Sequence, residues 1–159
     1  MTRTTIFDID GVLANTGDFV SKFISKKGNF LEEKFNEEIL NFSTIKQGVE
    51  ILKHFKYNDY TIVLVTARRE QFRPNTEQWL KNNDIPYDFL YHSTKGMGKV
   101  EYKIMVAKRF KPLFIIDDDP EIRDLIVTIL DSKEYEIIPI SNGIKLFEEF
   151  RCQIVRELT

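Results

Sequence analysis

The chain has 159 residues, 42% hydrophobic and 30% charged, the composition of one soluble globular domain with a sizeable core rather than of a disordered protein. Its formal net charge of −2 gives no global attraction to nucleic acid, so any such binding would rest on a local basic patch. A lone cysteine, Cys152, excludes an internal disulfide, no apolar run approaches the roughly 20 residues of a membrane span, and the N-terminus enters a strand without a signal-like h-region, so we expect a cytoplasmic protein with no membrane partner.

Thr4 to Ile9 is rich in β-branched and aromatic residues and predicts a short buried strand, which Gly11 ends. Asp8 and Asp10 stand at its carboxyl end, and a two-residue spacing puts both on one side of an extended chain. Asp18 to Lys27 and Leu31 to Phe42 carry apolar residues at helical spacing and predict two short amphipathic helices split by Gly28-Asn29. Between about 15 and 43 they would form a small cap over the aspartates, or would only cover a sheet face. Thr44 and Gln47 fit a capping box opening a helix through Val49, Ile51, Leu52 and Phe55 that ends near Tyr57-Asn58.

Tyr60 to Val65 predicts a second buried strand, ending in Thr66 and followed by Ala67-Arg68-Arg69. Pro74-Asn75 precedes a helix through Thr76, Trp79 and Leu80, with Trp79 in the core. Asp84-Ile85-Pro86 turns the chain into a short strand, Phe89 to His92, and Ser93 to Gly98 reads as a loop. Lys99 to Phe110 predicts a helix whose apolar stripe is Val100, Ile104, Ala107 and Phe110 or a close variant. Leu113 to Ile116 is a strand ending in Asp117-Asp118-Asp119-Pro120; a helix from Glu121 through Ile129, a strand from Tyr135 to Ile140, a Ser141-Asn142-Gly143 turn and a helix to about Val155 follow. This alternation predicts an α/β fold, a doubly wound, Rossmann-like parallel sheet of about five strands in a single domain over residues 1–159, with at most a small helical cap.

In such a sheet ligands bind beyond the carboxyl ends of the strands, and those ends collect Asp8, Asp10, Thr66 and the aspartates 117 to 119. A lysine, Lys99 or Lys103, opens the helix before the last of them, and spacing leaves both able to face the site. Carboxylates this close repel one another unless a cation or a proton lies between them, which predicts a cation.

Four segments in order, Asp8-Ile9-Asp10-Gly11, Val63-Leu64-Val65-Thr66, Lys103 (or Lys99) and Ile115-Ile116-Asp117-Asp118, resemble the motifs of the haloacid dehalogenase (HAD) superfamily of phosphohydrolases. The resemblance implies a phosphatase in which Asp8 is the nucleophile and forms an aspartyl-phosphate, and Asp10 is the general acid and then the base. It implies that Thr66 and the lysine hold the phosphoryl group. Mg²⁺ would be held by Asp8, the main-chain carbonyl of Asp10 and an acidic residue after the third motif strand, Asp118 in preference to Asp117.

Thr66-Ala67-Arg68-Arg69, with Arg73 and Thr76 to Leu80, is similar to the phosphatase half of polynucleotide kinase/3′-phosphatases, while small deoxyribonucleotidases share the Asp-x-Asp-Gly-Val-Leu-Ala opening. Thr66, Ala67, Arg68 and Arg73 are therefore the expected substrate-binding residues. The expected substrate is a nucleotide or a nucleic-acid 3′-phosphate end, with a small metabolite as the alternative. Arg68, Arg69 and Arg73 with Lys95, Lys99 and Lys103 would form a basic rim for a phosphate backbone, or are ordinary surface charge. The sequence has no phosphate-binding P-loop, which excludes a nucleotide-dependent kinase of that type, and His54 and His92 lack the companions of a zinc site or a triad. No protein partner is indicated. A reading of another class is a catalytically silent protein that only binds a phosphorylated ligand or a partner.

Overall fold

Thr4–Asp8 (β1) is buried along its whole length because it is the middle strand of a five-stranded sheet, with a strand on each edge and a helical layer on each face. In the computed structural model, which describes residues 3–17, 20–119 and 136–139, the other strands are Thr61–Arg69 (β2), Phe89–Ser93 (β3), Phe114–Asp117 (β4) and Glu136–Pro139 (β5), in the order β3-β2-β1-β4-β5. All pairings are parallel. Phe7 lies opposite Leu64 on one side and Ile116 on the other, so Asp8, Val65 and Asp117 come to the same edge of the sheet.

Alternation along the strands separates two cores. Phe7, Ile62, Leu64 and Ile116 face a layer containing Leu52, Phe55, Trp79 and Leu80, from Lys46–Tyr57 (α2) and Arg73–Asn82 (α3). Ile6, Val63, Val65 and Ile115 face Tyr102, Val106 and Ala107 of Lys99–Phe110 (α4). The doubly wound α/β fold expected from the alternating pattern is the one observed. Trp79 is fully buried, and its indole N–H donates to the Phe42 carbonyl at 2.8 Å, tying α3 to the segment that precedes α2.

Several local expectations need correction. The first cap helix, expected over Asp18 to Lys27, is not formed: the described part is a 3₁₀ turn at Val20–Phe23, after which Ile24 bridges Phe30 across a turn with Gly28 at φ +79°. Turn-forming Ser25, Gly28 and Asn29 override the apolar spacing there. The second is shorter than expected, Glu32–Glu38 (α1), and continues as a 3₁₀ turn at Ile39–Asn41. No capping box opens α2; Ile45 is its N-cap, Thr44 bridges Ala14, and the Ile45 amide donates to the Leu13 carbonyl at 2.7 Å. Pairing with the loop after β1 has displaced the local cap. The fully buried residues of α4 are Tyr102, Lys103, Val106 and Ala107, while Val100, Ile104 and Phe110 of the expected stripe are partly buried beside them and only Ala107 belongs to both sets. β2 runs on to Arg69, with its register against β3 broken between Thr66 and Arg69. Asp18, Phe19, the segment from Pro120 through Tyr135 and everything after Pro139, including the expected helices and Cys152, lie outside the described residues.

Gly48 is the point where α2 meets the loop after β1: a Cβ built there would lie 1.9 Å from the Val12 carbonyl oxygen, a backbone atom that cannot swing aside. Gly48→Ala should therefore destabilise the fold by about 2 kcal/mol despite alanine's better helix propensity, as a lowered midpoint in urea unfolding. A midpoint at or above that of the parent would show that the contact is relaxed at no cost.

Candidate active site

Asp8 ends β1 with its carboxylate buried, and its Oδ1 accepts the Ile9 amide at 2.8 Å. The chain then turns around one atom: the amides of Val12, Leu13 and Ala14 point at the Ile9 carbonyl at 3.3, 2.8 and 2.9 Å. Gly11 is required in this turn on two counts. Its φ is +82°, and a Cβ there would lie 2.0 Å from Asp118 Oδ2.

β4 brings Asp117 beside Asp8, and α4 brings Lys103 over both. Its ammonium, only 5% exposed, donates to Asp117 Oδ2 at 2.6 Å and lies 3.3 Å from Asp8 Oδ2. Lys99 is a turn earlier on the helix, more exposed, and paired with Asp119, so the two lysines left open by the sequence are separated by geometry. Asp117 Oδ1 also accepts the Asp119 amide at 3.0 Å. Oxygens of Asp8, Asp117 and Asp118 lie within 4.8 Å of one another.

The electrostatics follow from that crowding. Burial, followed by the Asp117 charge, raises the Asp8 carboxyl well above the ordinary carboxylate range, and Lys103 offsets this only in part. Burial and Asp117 also raise Asp118, against a hydrogen bond with Asp8. For Lys103, burial pulls the pKa down, but Asp8 and Asp117 outweigh it and hold the ammonium charged. Three carboxylates face one ammonium. A hard divalent cation with oxygen ligands, such as Mg²⁺, fits the donor set and the residual negative charge.

Asp10, half-buried, is gripped from the side by Arg68, whose Nη2 donates to Oδ1 at 2.6 Å and Nε to Oδ2 at 3.0 Å. Arg68 is itself 5% exposed, and its Nη1 donates to Thr76 Oγ1 at 3.2 Å. The fully buried Thr66 accepts the Arg68 amide at 3.1 Å on its hydroxyl oxygen, which leaves its own O–H to donate. The paired arginine and the Thr76 anchor have no sequence signal, because Asp10 and Arg68 are 58 residues apart.

The expected basic rim is not present as an uncompensated patch. Arg68 serves Asp10, Arg69 pairs with Glu32 at 2.8 Å, Lys99 pairs with Asp119, and Lys103 is buried in the carboxylate cluster. Arg73 pairs with Glu70, lies 3.5 Å from Glu77 and donates to the Leu90 carbonyl at 3.1 Å, away from the residues lining the cleft. Lys95 stays exposed on the loop before α4. His92, opposite Thr66 on β3, is buried with both ring nitrogens unpartnered among the described residues; burial, then Arg73, lowers its pKa to about 4, so it is neutral at neutral pH.

Asp8, Asp10, Gly11, Ala67, Arg68, Lys103 and Asp118 line one cleft of about 440 Å³, a size suited to a small ligand. Phe30, Phe35 and Phe72, which sequence patterning marks only as apolar, line the same cleft. Among the described residues no helix is long and apolar enough to cross a membrane.

The family described as PITM 1-3, LNS2 domain matches the sequence over residues 5–114. No curated protein sequence matches it significantly. Among solved structures, one of the Pnkp1/Rnl/Hen1 complex is similar with a TM-score of 0.65 at 20% identity, over 91% of this chain and 47% of that one, so the chain spans about half the length of that relative. The HAD domain of the effector protein Lem4 from Legionella pneumophila is similar with a TM-score of 0.59 at 13% identity, over 98% and 94% of the two chains. A HAD-superfamily hydrolase from Ehrlichia chaffeensis gives 0.62 at 14% identity over 100% of both. At these identities the structural likeness speaks for the fold, and the sequence match speaks for the family. The chain thus belongs to the family described as PITM 1-3, LNS2 domain, and it is built on the HAD fold.

Proposed function

We propose that the chain is a Mg²⁺-dependent phosphomonoester hydrolase that works through an aspartyl-phosphate on Asp8. The observation that carries this reading is the buried Asp8 carboxylate in an open cleft, flanked by Asp117 and Asp118 and balanced, among the described residues, by Lys103. Unaided phosphomonoester hydrolysis is among the slowest of biological reactions, so a site must supply a nucleophile, counter-charge and a proton for the leaving group.

Asp8, Asp118 and the Asp10 main-chain carbonyl would hold Mg²⁺, with Asp117 in reach. The ion's role when bound is to neutralise charge between carboxylate and phosphate. Asp8 attacks phosphorus, its oxygen forms the new P–O bond, and the bond to the leaving oxygen breaks while Asp10 donates a proton to that oxygen. Asp10, now a carboxylate, takes a proton from water; the water oxygen attacks phosphorus, the bond to Asp8 breaks, and inorganic phosphate leaves. Lys103 and the Thr66 O–H hold phosphoryl oxygens, and Arg68 aims Asp10.

For the substrate, the size of the cleft, about 440 Å³, and the paired cations of its rim favour a small phosphomonoester such as a nucleotide. The likeness to a structure described as the Pnkp1/Rnl/Hen1 RNA repair complex favours the second reading, a nucleic-acid end.

Asp8→Asn should cut metal-dependent phosphate release from p-nitrophenyl phosphate by on the order of a thousandfold or more with the fold intact, since it removes one crowded charge. A variant with parental activity would remove Asp8 from the nucleophile's role; a parent with no turnover on any phosphomonoester would favour the silent binder. Mg²⁺ at about a hundredfold excess over its Kd should raise the thermal midpoint by several degrees, and Asp118→Asn should lose most of that shift. An equal shift in both proteins would place the ion elsewhere.

A further inference from the structure

The cleft that holds the chemistry above is also lined by aromatic side chains. Phe30 lines it with 45% of its surface exposed, while Phe35 and Phe72 are buried beside it. Phe30 and Phe35 pack with ring centroids 5.5 Å apart, and Phe23 sits behind them at 6.4 and 5.5 Å, so the exposed ring is braced from behind. The Arg68 guanidinium carbon lies 5.5 Å from the centroid of Phe35 while its nitrogens hold Asp10. One arginine thus touches both Asp10, the acid proposed for the leaving oxygen, and Phe35, the ring that packs on Phe30.

The same lining offers little to a charged leaving group, because the nearby cations Arg68, Arg69 and Lys99 are already paired with Asp10, Glu32 and Asp119. We infer that Phe30 is a specificity residue on which a planar aromatic leaving group stacks, so that the chain prefers nucleoside or aryl phosphates to aliphatic ones. This rests on the phosphohydrolase reading and narrows its substrate class.

The test is kcat/KM for phenyl phosphate, deoxynucleoside monophosphates, glycerol phosphate and an oligonucleotide ending in 3′-phosphate, in the parent, Phe30→Ala and Phe30→Tyr. Stacking predicts that Phe30→Ala lowers the ratio of aromatic to glycerol phosphate turnover roughly tenfold, mostly through KM, and that Phe30→Tyr keeps it. The phenyl and nucleotide arms separate an aryl from a nucleoside ligand. A ratio unmoved by Phe30→Ala overturns the inference while leaving the phosphohydrolase reading in place. Strong preference for the oligonucleotide overturns it in favour of a nucleic-acid end. Absence of release from every ester removes the phosphohydrolase reading and this one with it.

Discussion

Three carboxylates meet one buried ammonium at the end of the central strands, and the local architecture holds that costly arrangement in place. Burial, reinforced by the like charge of Asp117, shifts the Asp8 and Asp118 carboxyls upward. They stay together because the parallel register of β1 and β4 aligns Asp8 with Asp117, because Gly11 leaves room for the Asp118 carboxylate, and because α4 buries Lys103 between its apolar neighbours. A divalent cation would relieve the repulsion in such a cluster, which is the physical reason for the phosphate chemistry proposed above.

Around this centre, charge is arranged to orient groups rather than to attract a polyanion. Arg68 is the clearest case: a side chain that reads from the sequence as a surface cation is buried, bonded to Asp10 and Thr76, and stacked over Phe35. Bidentate geometry of this kind fixes a carboxylate in position. The neighbouring ion pairs of Arg69 with Glu32 and Lys99 with Asp119 compensate two cations that line the cleft, which is why the proposed recognition of the leaving group rests on its aromatic lining.

The sheet was legible because its strands are short runs of Val, Ile, Leu and Phe that end abruptly in polar residues, a signal that survives any tertiary context. Asp8, Asp117 and Asp118 were legible as a group for the same reason, since each follows an apolar strand. What periodicity could not provide was a choice between neighbours on one helix: Lys99 and Lys103 differ in burial, which depends on how α4 lies on the sheet. The cap misled more seriously, because apolar spacing over Asp18 to Lys27 looks helical while Gly28 and its neighbours impose a turn. Thr44 fits a cap by sequence, but pairing with Ala14, distant along the chain, took precedence. The pairing of Arg68 and Arg73 with acidic partners was not legible for a related reason: composition reveals a charge, and only the fold reveals its partner.

The central claim is that Asp8 becomes covalently phosphorylated, and the most direct measurement is acid quench during turnover of a phosphate-labelled ester, followed by peptide mapping. The account predicts label on the peptide containing Asp8, released by hydroxylamine as expected of an acyl phosphate and absent from Asp8→Asn. Turnover with no protein-bound label at any quench time, or label on a different residue, would contradict it.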